Sequence, residues 1–282
     1  MTIIRPTTIN ARFSQPVGLG GEKLWLCPTL GGDRLDLSGN GNHGTYYGGM
    51  GTVALTGFGG DRAFDFDGVN DRIDCPSDTF GGSAKLSMSC WVYQDSHDSV
   101  SGQGFMGQYD GSGATTDRVA ILWSPASASG KAVRSLVLTN TLGSFAEAYW
   151  GSPPPPLNAW HHWCMTADGS EIRLYKDGIL VDQTAYSGSP PTSPSVPFEI
   201  GRYRGGGNNN NYCLNGKVDD ARVFRRALSP SEVKHLASKR GVLGSPRQPY
   251  DPLKRTVVRV PAGITFKPYW AKQSTQVAGL LK

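Results

Sequence analysis

Short runs of strand-forming residues recur along most of this chain, each closed by a Gly- or Pro-rich turn, and that rhythm constrains the fold more than any other feature. Leu86-Ser-Met-Ser-Cys-Trp-Val-Tyr93 alternates. Leu86, Met88, Cys90 and Val92 fall on one face and Ser87, Ser89, Trp91 and Tyr93 on the other, as in a half-buried strand. The same reading fits Leu24–Cys27, Ala63–Phe66, Arg72–Cys75, Arg118–Trp123, Ser135–Thr139, Phe145–Trp150, His161–Ala167, Pro197–Gly201 and Val218–Phe224. Turns sit between them at Gly57–Asp61, Gly111–Gly113 and Pro153–Pro156. Glu171–Tyr175 and Ile179–Gln183 flank Lys176-Asp177-Gly178, where Asp-Gly supplies the positive φ angles of a tight hairpin. The 37 Gly and 19 Pro make up about a fifth of the chain, while 7 Trp, 11 Tyr and 10 Phe are enough to bury a core, which argues against disorder and a collagen-like repeat. Many antiparallel strands with few helices imply an all-β fold, a two-sheet antiparallel jelly-roll sandwich.

One helix is well marked. Ser229-Pro230-Ser231-Glu232 offers a capping Ser, Pro at the first helical position and a Glu three residues after the cap, followed by Val233, Leu236 and Ala237 at helical spacing. The spacing predicts two to three turns, ending near Gly241.

Charge divides the chain. The net charge of +5 averages unlike parts: residues 239–282 hold nine basic residues against the single Asp251, and residues 1–20 add Arg5 and Arg12 with no acid. The remaining 17 basic and 22 acidic residues, in 21–238, leave a body of about −5 between arms of +2 and +8. Such asymmetry speaks to partners rather than to fold. No stretch is long and apolar enough for a membrane span, and Met1-Thr2-Ile3-Ile4-Arg5-Pro6 does not lead into a signal peptide, so synthesis in a cytoplasm is expected. Cys27, Cys75, Cys90, Cys164 and Cys213 are odd in number and far apart, which reads as buried reduced thiols.

Five segments then carry a resemblance. Asp36-Leu-Ser-Gly-Asn-Gly-Asn-His-Gly44, Ala63-Phe-Asp-Phe-Asp-Gly-Val-Asn-Asp-Arg-Ile73, Leu86–Tyr93, Trp160-His-His-Trp163 leading into Leu174-Tyr-Lys-Asp-Gly178, and Leu214–Phe224 before Ala227-Leu-Ser-Pro230 resemble, in this order, the motifs of laminin G-like jelly rolls, relatives of concanavalin A-like lectins. The resemblance implies two stacked antiparallel sheets with the terminal strands side by side. It divides the chain into an extension at 1–20, a jelly roll at 21–243 and a basic, apolar arm at 244–282. It says little about function, because this fold hosts lectins, glycosidases, adhesion domains and virion proteins.

The family often holds one structural Ca²⁺ where two segments meet, which here makes Asp36, Asn40, Asn42 and Asp219 the candidate ligands; the alternative is that Asp36 and Asn40 make turn hydrogen bonds. The family's glycosidases resemble one another in a Glu-x-Asp-x-x-Glu strand, and none of Glu22, Glu147, Glu171, Glu199 and Glu232 has that spacing, so no enzyme is expected. His162 is expected as a buried neutral imidazole. Trp160 and Trp163 lie on opposite strand faces, so only one belongs to the core.

Sugar sites combine an aromatic for the apolar sugar face with amides or carboxylates for the hydroxyls. Tyr46, Tyr47, Tyr203, Asn208, Asn209 and Tyr212 have that chemistry in polar, Gly-rich loops, which are otherwise plain connections. In the arms, Thr256–Val260 reads as a strand, and Phe266, Tyr269 and Trp270 are costly to leave in water. Together with Arg5, Arg12, Lys254, Arg255 and Arg259 they suggest segments that order against an acidic partner, the alternative being that the C-terminal segment folds back on its own domain. Phe266–Gln276 looks like the ends of jelly-roll proteins among tailed-bacteriophage structural genes. The resulting expectation is a non-catalytic virion protein, decorating a capsid through its arms, with the major capsid protein or further copies of itself as partners. The alternative is a lectin-like carbohydrate-binding module, including a phage tail or fibre receptor-binding role. Nucleic acid is not favoured, since stacking modules and dense Lys/Arg runs are missing.

Overall fold

The computed structural model describes residues 19–28, 35–54, 62–79, 83, 85–97, 102–109, 118–124, 131–138, 145–188, 196–204 and 211–238. The chain divides into two compact units, Met1–Pro246 and Arg247–Lys282, and all the described residues belong to the first.

In chain order the strands are β1 (Glu22–Leu26), β2 (Thr45–Tyr47), β3 (Gly51–Ala54), β4 (Arg62–Asp67), β5 (Arg72–Cys75), β6 (Leu86–Gln94), β7 (Gln103–Tyr109), β8 (Arg118–Trp123) and β9 (Val133–Leu138). They continue with β10 (Phe145–Trp150), β11 (Trp160–Ala167), β12 (Glu171–Lys176), β13 (Ile179–Ala185), β14 (Phe198–Ile200), β15 (Arg202–Arg204), β16 (Asn211–Cys213) and β17 (Asn215–Phe224), and the helix α1 (Pro230–Ala237) closes the series. An eight-stranded sheet runs β13-β12-β11-β6-β17-β4-β3, with β1 also on β17, and a seven-stranded sheet runs β10-β9-β8-β7-β14-β5-β2. All the pairings are antiparallel. The expected jelly-roll sandwich is therefore the fold, and β1 lies beside β17 as the expectation of neighbouring terminal strands required.

Alternation places the core. In the seven-stranded sheet Tyr46, Ile73, Ile200, Met106, Ile121, Ser135 and Ala148 stand in one row across all seven strands and face inward. The neighbouring row, Thr45, Asp74, Glu199, Gly107, Ala120, Leu136 and Glu147, faces outward by the period of two. In the other sheet Leu86, Met88 and Cys90 pair with Ala167, Met165 and Trp163 on the inner face, as the pattern of Leu86–Tyr93 predicts. Both inner faces contribute to a single apolar cluster. At one border of the sandwich the Tyr149 amide of edge strand β10 donates to Asp182 Oδ2 of edge strand β13 at 2.9 Å, which occupies an edge N–H.

Local chemistry behaves as read. Asp177 (φ 52°) and Gly178 (φ 81°) make the β12–β13 turn. Ser229 caps α1 with a complete capping box, and Arg226 holds the same Glu232. The helix ends at Ala237 with Ser238 as its C-cap, whose N–H donates to the Lys234 and His235 carbonyls; Gly241, near which the stop was expected, lies outside the described residues. Val233 and Leu236 pack on Cys164, Tyr175, Phe224 and Leu228, covering part of the outer face of the eight-stranded sheet. All five cysteines are buried as thiols, and burial pushes those of Cys75, Cys90 and Cys164 well above the usual range.

Candidate functional site

The tyrosines expected to meet sugar are mostly engaged elsewhere. Tyr46 faces the core and meets Phe64 edge-on, at 6.0 Å between centroids. Tyr47, on the outer face, carries the Arg72 guanidinium 3.9 Å over its ring. The Gly-rich segment read as a loop contains two short strands, β15 and β16, and this hairpin crosses β7 on the outer face of the seven-stranded sheet. The crossing requires a glycine: a Cβ on Gly104 would sit 2.2 Å from the Tyr203 amide nitrogen. Tyr203 is consequently 8% exposed, stacked on Tyr109 at 5.1 Å and on Tyr212 at 6.0 Å, above Ala120, Leu122 and Leu136. Its ring is engaged in packing within the stack. Around this stack the charges are paired, Glu199 with Arg202 and Arg204, Arg72 with Asp74, and Glu147 with Lys131 and Arg134. Asn208 and Asn209 lie outside the described residues, as do Arg5, Arg12, Lys254, Arg255, Arg259, Phe266, Tyr269, Trp270 and the strand read at Thr256–Val260.

The expected calcium set is arranged as a hydrogen-bonded turn. Asp36 Oδ1 accepts from the amides of Trp25 and Ser38, both at 2.9 Å, and Oδ2 from Ser38 Oγ at 2.8 Å and the Asn42 amide at 2.9 Å. Asn40 and Asn42 donate their side-chain amides to the carbonyls of Glu22 and Lys23. Asp219 Oδ1 accepts from the Asp220 amide at 2.7 Å and from Cys27 Sγ. A calcium ion needs six to eight oxygens converging on one point. Here Asp36 is surrounded by donors, and Asp36 and Asp219 hold different residues of the β1 segment. The donor set does not fit the ion, and among the described residues no group of three or more His, Cys, Asp and Glu is placed to hold a metal.

A different constellation emerges on the outer face of the eight-stranded sheet, beyond the reach of α1. Trp160, Tyr93, Lys217 and Asp65 stand in one row across β11, β6, β17 and β4. All four are half-buried. The Tyr93 and Trp160 rings are 5.5 Å apart, and Lys217 Nζ lies 5.0 Å from the Tyr93 centroid. Lys217 is held by Asp95 Oδ2 at 2.8 Å and Asp65 Oδ1 at 3.6 Å. Asp67 and Asn215 form the next pair along β4 and β17, with Asn215 Nδ2 donating to Ser96 Oγ at 2.7 Å. One step inward, Trp91 meets His162 edge-on at 5.4 Å, and its indole N–H has no acceptor among the described residues. His162 is 1% exposed with Nε2 3.0 Å from Ser89 Oγ, and burial pushes its pKa down to about 3 against the pull of Asp177, so the imidazole is neutral as expected. Of the two tryptophans in the Trp160–Trp163 motif, Trp163 is the core residue, at 1% exposure. Alternation had already set Trp91 and Tyr93 on the face opposite Leu86 and Met88 and had put Trp160 and Trp163 on opposite faces without saying which is core; the alignment of Trp160 and Tyr93 with Lys217 and Asp65 depends on a strand order that skips along the chain.

Each of the five glutamates is within ion-pair distance of a cation: Glu22 with Arg222, Glu147 with Lys131 and Arg134, Glu171 with Arg173, Glu199 with Arg202 and Arg204, and Glu232 with Arg226.

The profile of the Laminin_G_3 family, described as the concanavalin A-like lectin/glucanases superfamily, matches residues 67–234, more than half of the chain. The chain belongs to this superfamily. No curated protein matches it in sequence. Among solved structures that share the superfamily's jelly roll, domain 4 of AbnA, a GH43 extracellular arabinanase from Geobacillus stearothermophilus, in complex with arabinotriose, is similar at TM-score 0.59 and 17% identity, covering 77% of this chain and 98% of that one. The binding domain of botulinum neurotoxin DC in complex with SialylT is similar at TM-score 0.54 and 13% identity, covering 77% and 51%. The binding domain of Paraclostridial mosquitocidal protein 1 reaches TM-score 0.55 at 16% identity, covering 77% and 52%. The chain thus spans about half the length of the toxin binding domains and nearly all of the arabinanase domain, and these likenesses establish its fold.

Proposed function

We propose that this jelly roll is a non-catalytic recognition module that binds saccharide through the row Trp160–Tyr93–Lys217–Asp65. The observation that carries the reading is the juxtaposition of two half-buried aromatic rings with carboxylates, an ammonium and an amide on one sheet face. Rings cover the apolar faces of sugar units, and the charged and amide groups exchange hydrogen bonds with their hydroxyls. Two of the similar structures are complexes with arabinotriose and SialylT, which agrees with saccharide as the ligand class. The ion-paired glutamates support the non-catalytic part, since a carboxylate tied to a cation is a poor general acid. The test is a glycan array followed by titration of any hit against Trp160→Ala: loss of the signal supports the site, and unchanged binding removes it.

The finer reading concerns where the module is displayed. Nine basic residues against one acid in 239–282, with Phe266, Tyr269 and Trp270, favour a virion decoration protein that docks its arms on an acidic lattice such as a capsid, or on neighbouring copies of itself. Deleting 244–282 should leave a folded jelly roll that no longer joins the particle; unchanged incorporation would end that reading.

A further inference from the structure

The row has a direction, a length and a charge, and together they narrow the ligand. Trp160, Tyr93, Lys217 and Asp65 belong to four hydrogen-bonded neighbouring strands. Strand spacing of about 4.8 Å gives the row a span of roughly 14 Å across the strands rather than along them. One sugar unit of a linear chain is of similar length to one strand spacing, so a saccharide laid along the row meets a new side chain at each unit: Trp160, then Tyr93, then the Lys217 and Asp65 pair. The row continues to Gly51 on β3, where among the described residues a Cβ would meet nothing within 4 Å.

The charges point to an uncharged ligand. Lys217 is the cation of the row, and Asp95 and Asp65 both hold it. Asp67 stands on the same face of β4 as Asp65, by the period of two. Asp65, Asp67 and Asp95 thus outnumber the one ammonium. A carboxylated or sulfated saccharide would meet net negative charge, whereas hydroxyls suit both carboxylate acceptors and the ammonium donor.

We infer that this row takes a linear, uncharged oligosaccharide of at least three units, laid across the strands of the eight-stranded sheet with its first two units on Trp160 and Tyr93. This rests on the saccharide reading above and specifies its ligand. The experiment is calorimetric titration of the full chain with arabino-, xylo-, cello- and manno-oligosaccharides of one to six units, and with oligogalacturonates of the same lengths, at low and at physiological salt. In the neutral series that binds, affinity should rise by about tenfold or more from one unit to three and then level off. The oligogalacturonates should bind at least about tenfold more weakly at low salt, with the gap narrowing as salt screens the carboxylates. Trp160→Ala should weaken the trisaccharide by about tenfold, Trp160→Phe by less, and Asp65→Asn should act on the trisaccharide but not on the monosaccharide. The conservative pair keeps the test readable if the alanine variant folds poorly. Monosaccharides bound as tightly as trisaccharides, or oligogalacturonates bound better than neutral chains, would overturn this inference while leaving saccharide recognition standing. Binding to neither series would overturn both.

Discussion

The two outer faces of the sandwich carry similar side chains to opposite ends. On the seven-stranded sheet Tyr203 of the crossing hairpin is stacked on Tyr109 of β7 and on its hairpin partner Tyr212, and the surrounding arginines and carboxylates are paired. On the eight-stranded sheet α1 covers one part of the face, and Trp160, Tyr93, Trp91 and Lys217 remain half-buried. What separates the faces is the element that lies over each of them. On the proposed reading, an aromatic residue with polar neighbours serves as a platform only where the packing leaves part of its ring exposed, and composition alone does not say where that is.

Substitutions should separate the two faces, those in the core having the largest effect. Trp163→Ala empties the core and should cost about 3–5 kcal/mol in urea unfolding, while Trp160→Ala, three residues away on the other face, should cost under about 1 kcal/mol. Equal losses would mean that Trp160 is a packing residue. Tyr203→Ala should cost about 2–3 kcal/mol through the lost stack and leave saccharide affinity intact. Asp36→Ala, which strands the donors around its carboxylate, should cost about 2–4 kcal/mol, while EDTA leaves the melting temperature of the native chain unchanged; a clear drop with EDTA, restored by Ca²⁺, would restore the metal reading.

A smaller effect sharpens the picture beneath the platform. In the unfolded chain His162 takes up a proton near its ordinary 6.5, whereas burial holds the folded imidazole neutral down to about 3. The unfolded state therefore binds more protons between those values, and stability should fall as the pH drops from 6.5 toward 3. His162→Gln should flatten that part of the stability–pH curve; an unchanged slope would show that His162 is not its source. Asp177 and Arg222 act on the same imidazole in opposite senses, so His162→Gln should be compared at fixed ionic strength.

Local pattern made much of this legible. Alternation in Leu86–Tyr93 assigned Met88 and Cys90 inward and Trp91 and Tyr93 outward, the three-residue spacing separated Trp160 from Trp163, and Ser229–Glu232 announced the helix. What stayed hidden is non-local. Strand β7 reads poorly because Gly104 and Gly107 interrupt its hydrophobic pattern, yet both are required: the Arg202–Tyr203 backbone passes over the first, and a Cβ on the second would reach the backbone of Val119 and Ala120. Tyr203 looked like a loop residue because its stacking partner Tyr109 is remote in sequence. The row from Trp160 to Asp65 joins β11, β6, β17 and β4, whose adjacency no local signal encodes. Asp36 carried the right residue type for a cation, but its neighbours turn out to be N–H and O–H donors.

The most direct measurement pairs one residue from each face: the affinity of Trp160→Ala and of Tyr203→Ala for the same neutral trisaccharide, each variant first shown to be folded. The expected result is a loss of about tenfold or more for Trp160→Ala and native affinity for Tyr203→Ala. Native affinity in Trp160→Ala with a loss in Tyr203→Ala would place recognition on the seven-stranded sheet and contradict it.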